Sequence, residues 1–179
     1  MKSKSVLKTA GVLAVTAGIA LGANSLAQAA DSDQVQQGRV QLADAAQMAA
    51  VKERQELMKS IGGNAKTITD FLKESKGTAA EAGAAAAKIG ELANTIPTAF
   101  KVEASLSEMD AVGKNRGKPE IWMNWDGFTQ KAETLEQKAQ ALAAAFQGGD
   151  SGAIQTAFGD MGKNACGSCH DDFRGPKVE

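Results

Sequence analysis

The residues best equipped for chemistry stand together near the C-terminus, in the stretch KNACGSCHDDFRGPKVE. Cys166 and Cys169 are the only cysteines of the chain, and His170 beside them is its only histidine. Two thiols and an imidazole at this spacing can ligate a metal, exchange electrons as a dithiol, close a disulfide or hold a haem. A structural zinc site takes four N/S ligands, and three are on offer. A thioredoxin-like pair belongs in a βαβ context, and no strand pattern is visible. A disulfide suits an exported protein but would staple a three-residue step and gain little loop entropy. Cys-x-x-Cys-His is also the attachment signature of c-type haem. In that chemistry the two thiols add to the vinyl groups as thioethers and the adjacent imidazole falls under the iron as an axial ligand. Positions i, i+3 and i+4 of a helix share one face, so Cys166, Cys169 and His170 would point together into whatever lies alongside. With His170 used, no second histidine remains, and the sixth iron position falls to Met, Lys, a small exogenous molecule or nothing.

The rest of the chain must bring a cofactor to that motif. Its start, MKSKSVLKTAGVLAVTAGIALGANSLAQAA, carries Lys2, Lys4 and Lys8 ahead of an apolar run from Ala10 to Ala23, then the small residues of Ala27-Gln28-Ala29. That pattern reads as a secretory signal peptide over residues 1–29, the apolar run being short for a span of about 20 residues. Removing 29 of the 179 residues, with three of the 20 basic and none of the 21 acidic side chains, leaves 150 residues of net charge −4. This is one domain, residues 30–179, in size. Its acidity and lack of a basic tract argue against nucleic acid. No second apolar stretch is long enough for a bilayer, so membrane insertion is not expected after signal removal, and the expected compartment is the periplasm.

Alanine is abundant, Pro occurs only at 97, 119 and 176, and no alternating β-branched run appears; all favour helix over strand. Four helices are predicted between Gly and Pro clusters. The first covers about Asp33–Lys76, with Leu57, Ile61, Ala65, Ile68 and Leu72 on one face. Gly62-Gly63 weakens it and invites close approach of a helix or a flat ligand. The second covers about Thr78–Thr95, striped by Ala82, Ala86, Ile89, Ala93 and Ile96. A crossover loop is expected from Pro97 to Lys118. In the third, Ile121, Trp125, Phe128, Ala132, Leu135, Ala139, Leu142 and Phe146 alternate steps of four and three, the 3.5-residue repeat of a bundle seam. The fourth starts near Asp150 and presents Ile154, Phe158, Met161 and Ala165 on its way to Cys166. The expected fold class is all-α, an antiparallel four-helix bundle with one covalently bound haem.

The chain resembles a class II c-type cytochrome, of the cytochrome c-prime family, over most of residues 30–179. CGSCHDDFR lies where this family keeps its haem motif, VKERQELMKSIGG resembles its haem-facing first-helix segment, KPEIWMNWDGF the opening of its third helix and AFGDMGKNACGSCH its fourth. The resemblance makes Arg54 a haem-edge contact near a propionate, with Gln55 beside it, and puts Met58 at the position facing the distal side of the iron. Arg54 and Met58 are four apart and share a helical face in any case. In gas-binding members of the family the distal side chain leaves the iron five-coordinate and high-spin; in low-spin members a methionine there binds it. Phe100 is followed here by KVEASLSEM, where gas-binding relatives often carry a Gly-Thr pair. Residues 30–45 look like an N-terminal extension relative to the family.

Among other candidates, Met109 falls in the expected loop, Met161 is too close to Cys166 to reach the opposite haem face, and Met48 would need a slipped register. Trp122 and Trp125 read as bundle packing, and Arg174 as a surface arginine able to influence the His170 edge. The resulting expectation is a periplasmic mono-haem electron carrier rather than an enzyme. It would have one haem c per chain, iron held by His170 and Met58, unidentified redox partner proteins, and a homodimer suggested by the family. The alternative is a five-coordinate haem protein whose partners are the small gases nitric oxide and carbon monoxide. A peroxidase would lack a distal histidine for acid–base work.

Overall fold

A computed structural model of the chain describes residues 23–104 and 115–176; most of the expected leader, and Met109, lie outside them. The chain divides into two compact units, residues 1–41 and 42–179. The described part of the first is the opening of helix α1, Ala23–Glu74, and the expected extension at 30–45 straddles the division. The second unit holds the bundle.

Within that unit α1 buries Leu57, Ile61 and Ile68, with Ala65 and Leu72 packed at the margin, the face expected from the spacing. A Cβ at Gly62 or Gly63 would meet nothing within 4 Å, so no helix presses on either glycine. Ser75 and Gly77 then turn the chain at positive φ, 54° and 78°, with the Lys76 N–H on the Asp70 carbonyl at 3.1 Å. Thr78 opens helix α2, Ala79–Ala93, through a capping box: its hydroxyl accepts from the Glu81 N–H at 3.2 Å while the Glu81 carboxylate accepts from the Thr78 N–H at 2.8 Å. Such a cap stabilises a helix by about 1 kcal/mol.

The buried face of α2 is Ala82, Ala85, Ala86, Ile89, Gly90 and Ala93, and it lies on helix α5, Trp125–Gly148. The approach is tightest at Gly83. A Cβ at Gly83 would stand 3.1 Å from the Phe146 Cβ, and one at Gly90 would stand 3.7 Å from the Ala139 Cβ. On α5 every expected core position from Phe128 through Ala132, Leu135, Ala139 and Leu142 to Phe146 is buried. Gly149, at φ 73°, closes the helix with its N–H on the Ala145 carbonyl.

Three expected boundaries are corrected. The connection after α2 is not loop from Pro97 onward: Ile96–Ala99 forms a one-turn helix, α3, with Pro97 in its first turn, where a missing N–H costs nothing. The third helix is split into α4, Glu120–Met123, and α5. Asn124 leaves helical geometry (φ −127°, ψ 59°) and its side chain accepts from the Gly127 N–H, restarting the helix as an N-cap. The fourth helix is not uniform: α6, Ser151–Met161, capped by the Asp150 side chain on the Ala153 N–H, passes into a π-helical segment, Gly162–Gly167, before α7, Ser168–Phe173. Four helical arms thus form an antiparallel four-helix bundle: α1, α2 with α3, α4 with α5, and α6 with α7. Among the described residues the sole β pairing is an isolated antiparallel bridge between Gly117 and Arg174. No described helix is long and apolar enough to cross a membrane.

Asp160 joins α5 to the fourth arm. It accepts from Lys138 Nζ at 2.5 Å and from the Asn164 amide at 2.6 Å. Those bonds, Lys138's first, hold its carboxyl below the ordinary value of 3.8. A depressed pKa contributes stability that is present above the unfolded value and lost as pH falls through the folded one. Asp160→Asn is therefore expected to flatten the loss of stability below about pH 4, read as urea midpoints across the acid range.

Candidate cofactor site

Between α1 and the fourth arm lies a mostly apolar cavity of about 560 Å³, within the roughly 300–1,000 Å³ usual for cofactor sites. Helix α1 supplies Val51, Arg54, Gln55, Met58, Ile61, Gly62 and Ala65 to its wall, α5 supplies Phe128, Lys131, Ala132 and Leu135, and the fourth arm supplies Cys166, Cys169, His170 and Phe173. The sequence-selected motif and the sequence-selected segment of α1, more than 100 positions apart in the chain, therefore line one space. Of the described methionines Met58 alone lines it; Met161 is 1% exposed inside the core, and Met48 and Met123 are on the surface.

The three residues of the motif share the cavity wall. Both cysteines are free thiols, half-buried on the cavity wall. Burial pushes the Cys166 thiol up, and raises Cys169 to about 11, with Lys131 opposing. Burial chiefly, then Arg174 and Arg116, holds His170 below the ordinary 6.5. The imidazole is thus neutral at pH 7, the form that ligates a metal. Among the described residues no three of His, Cys, Asp and Glu converge as a metal-binding group, which leaves a bare zinc ion without a ligand set. Arg174 is exposed at the cavity edge, and its backbone N–H meets the His170 carbonyl at 3.0 Å.

Arg54 is 4% exposed. Its Nε donates to the Ala99 carbonyl and its Nη1 to that of Ala104, each at 3.1 Å, and its Nη2 donates to Val102. The guanidinium stacks on Phe100 at 4.8 Å and Trp122 at 5.1 Å, and burial lowers its pKa to about 10, still charged at neutral pH. Trp122 Nε1 adds a bond to the Phe100 carbonyl at 2.8 Å and Asn115 one to Ala104 at 3.1 Å. Arg54 thus fastens the chain leaving α3 to α1, at the rim of the cavity. Gln55 also lines the cavity, as an exposed side chain.

Sequence reasoning missed Lys131. It sits one position before the buried Ala132, where spacing alone reads as a solvated flank. Here its Nζ pairs with Asp172 at 3.0 Å and donates to the Ser168 hydroxyl, gripping α7 on both sides of Cys169. Arg116 was missed as well; it binds the Gly175 carbonyl at 2.9 Å. The signal available was weak in both cases, a lone cation beside an apolar stripe for Lys131 and one of four cations in an expected loop for Arg116.

The family model Cytochrome C′ matches residues 49–174, and the chain belongs to that family. Cytochrome c-554 of Cereibacter sphaeroides is 35% identical over 115 residues, 64% of this chain and 68% of that protein. The crystal structure of cytochrome c′ from Thermochromatium tepidum superposes with a TM-score of 0.61 at 28% identity, over 73% of this chain and 97% of that one. A leucine-to-isoleucine variant of cytochrome c′ from Alcaligenes xylosoxidans, solved as its nitric oxide complex, gives 0.57 at 27% identity, over 71% and 94%.

The cofactor of this family is covalently attached haem c, and the chain has two cysteines with which to hold it. The residues present fit the group. The walls are apolar, two thiols and a neutral imidazole share one wall, and a Cβ at Gly62 on another wall would meet open space.

Proposed function

We propose that this haem protein is a periplasmic one-electron carrier in which Cys166 and Cys169 fix the haem as thioethers and His170 and Met58 hold its iron. The observation that carries the reading is that Met58 is the one described methionine on the wall of the cavity that also takes in His170. The group would supply one-electron exchange at iron. The chain's own residues do the rest. His170 offers a neutral lone pair, Met58 a thioether that raises the reduction potential and closes the site to other ligands, and the apolar walls exclude water. Lys131, the other ligand type able to approach, is engaged by Asp172 and Ser168. Arg54 and Gln55 stand at the cavity wall as the residues to meet the haem edge. The export pattern of residues 1–29 supports the compartment, and other redox proteins are the partners.

A second reading makes the iron five-coordinate, with Met58 as packing and nitric oxide or carbon monoxide as ligand. The nitric oxide complex of the Alcaligenes xylosoxidans relative favours it. The two readings separate on the visible spectrum of oxidised and reduced protein, before and after carbon monoxide. The carrier reading expects a sharp low-spin spectrum indifferent to carbon monoxide, and Met58→Leu should convert it to a high-spin spectrum that carbon monoxide shifts at once. A native spectrum already high-spin and unchanged by Met58→Leu would transfer the assignment to gas binding.

A further inference from the structure

We propose that the π-helical segment Gly162–Gly167 is a register device, the extra residue that lets the core face of the fourth arm and its haem-binding motif occupy one side of the helix. The inference rests on the haem reading above, and Cys166 is the one residue of the segment to which that reading already gives a role.

The argument begins with spacing. Met161, Ala165 and Phe173 are buried in the core, 1%, 1% and 6% exposed, and Cys169 packs against it. These four positions follow one another in steps of four. In a regular α-helix a step of four overshoots a turn by about 40°, so three such steps swing the face by about 120°. Phe173, which meets Phe128 edge-on at 5.3 Å, would then point away from α5. One residue accommodated in a wider turn takes up roughly that angle. The structure contains that turn: the Ser168 N–H reaches back to the Lys163 carbonyl, five residues away, as well as to Ala165.

The placement of the turn is what gives it a role. It ends at Gly167, between Cys166 and Cys169, so the first thiol lies in the wide segment and the second thiol and the imidazole lie in the α-helix beyond it. All three line the cavity, and Ala165 and Phe173, buried in the core, line it with them. Attachment itself needs only the motif: each S–H adds across a vinyl C=C, sulfur to one carbon and proton to the other, with no leaving group and no net oxidation. The register instead governs how the folded bundle presents His170 to the iron.

The test uses the full-length holoprotein. Deleting Asn164 removes the extra residue and lets the segment close to α-helix. Covalent haem should remain, but the ferric spectrum of the native protein should be lost and its carbon monoxide response changed. Restoring the count with one alanine inserted after Gly162 should return both, although the Asn164 side chain is gone. A deletion variant with the native spectrum, or a restored variant without it, overturns the proposal. Where the deletion abolishes cooperative thermal unfolding, Gly167→Ala decides. It keeps the count and adds a methyl 3.3 Å from the Gly162 carbonyl oxygen, so a shifted ferric spectrum upholds the register role and an unchanged one overturns it. Absence of covalent haem from the unaltered protein would defeat the haem reading itself, a separate outcome.

Discussion

Replacing Cys166 and Cys169 together by alanine is expected to yield a protein that releases nearly all its haem when denatured and is largely unfolded without it. Both side chains pack against the main core cluster and both line the cavity, so the haem they anchor would complete the core as well as carry the chemistry. A ligand bound only by the folded state stabilises that state through its binding free energy, and a covalent link makes that contribution independent of concentration. The measurement is haem content after denaturing chromatography, with far-UV circular dichroism of the haem-free fraction. Haem retained in full through denaturation would refute attachment at these two positions. Either single replacement should keep one thioether, and the haem with it.

The second large effect is expected at Arg54. Arg54→Met keeps the apolar stem but withdraws the donors to the Ala99, Val102 and Ala104 carbonyls, along with the cation stacked on Phe100 and Trp122. A buried carbonyl left without its partner costs about 1–3 kcal/mol. Asn115 still serves Ala104, so a net loss of about 3 kcal/mol is expected in urea unfolding of the holoprotein. Reduction potential is the companion readout. An arginine acting only as a fastener would leave it nearly unchanged, whereas one that also meets the haem edge near a propionate would move it. Arg54→Lys should recover little stability, because one ammonium cannot reproduce a planar fork aimed at three acceptors.

Much of the site was legible because its information is local. Cys166, Cys169 and His170 announce their chemistry within five residues, and the stripe from Phe128 to Phe146 fixes a buried helix face by spacing alone. The segment holding Arg54 and Met58 was legible through resemblance and through its own four-residue step. Legibility failed where geometry depends on the third dimension. The 4-3 alternation runs through Asn124 without a fault, because the break conserves the apolar register; only a cap-type side chain followed by Gly127 hinted at a restart. The π segment was hidden for the opposite reason: its steps of four look helical until their drift is summed. Arg54 was assigned to the haem edge through the resemblance alone, which says nothing of its partners within the protein. Its neutral partners lie 45 to 50 residues away, beyond what periodicity can report.

The seam between α2 and α5 bears on how this protein can diverge. A Cβ at Gly83 would stand only 3.1 Å from the Phe146 Cβ, and nothing smaller than glycine exists, so every single substitution at that position adds volume where little is free. Packed interiors tolerate volume-conserving exchanges best, which leaves paired change as the open route there, growth on one helix matched by shrinkage on the other. At Gly62 no protein atom lies within 4 Å of an added Cβ, and the constraint there is the haem that the cavity takes in. Descendants of this sequence should therefore change Gly83 and Phe146 as a couple, so that the seam drifts in paired steps.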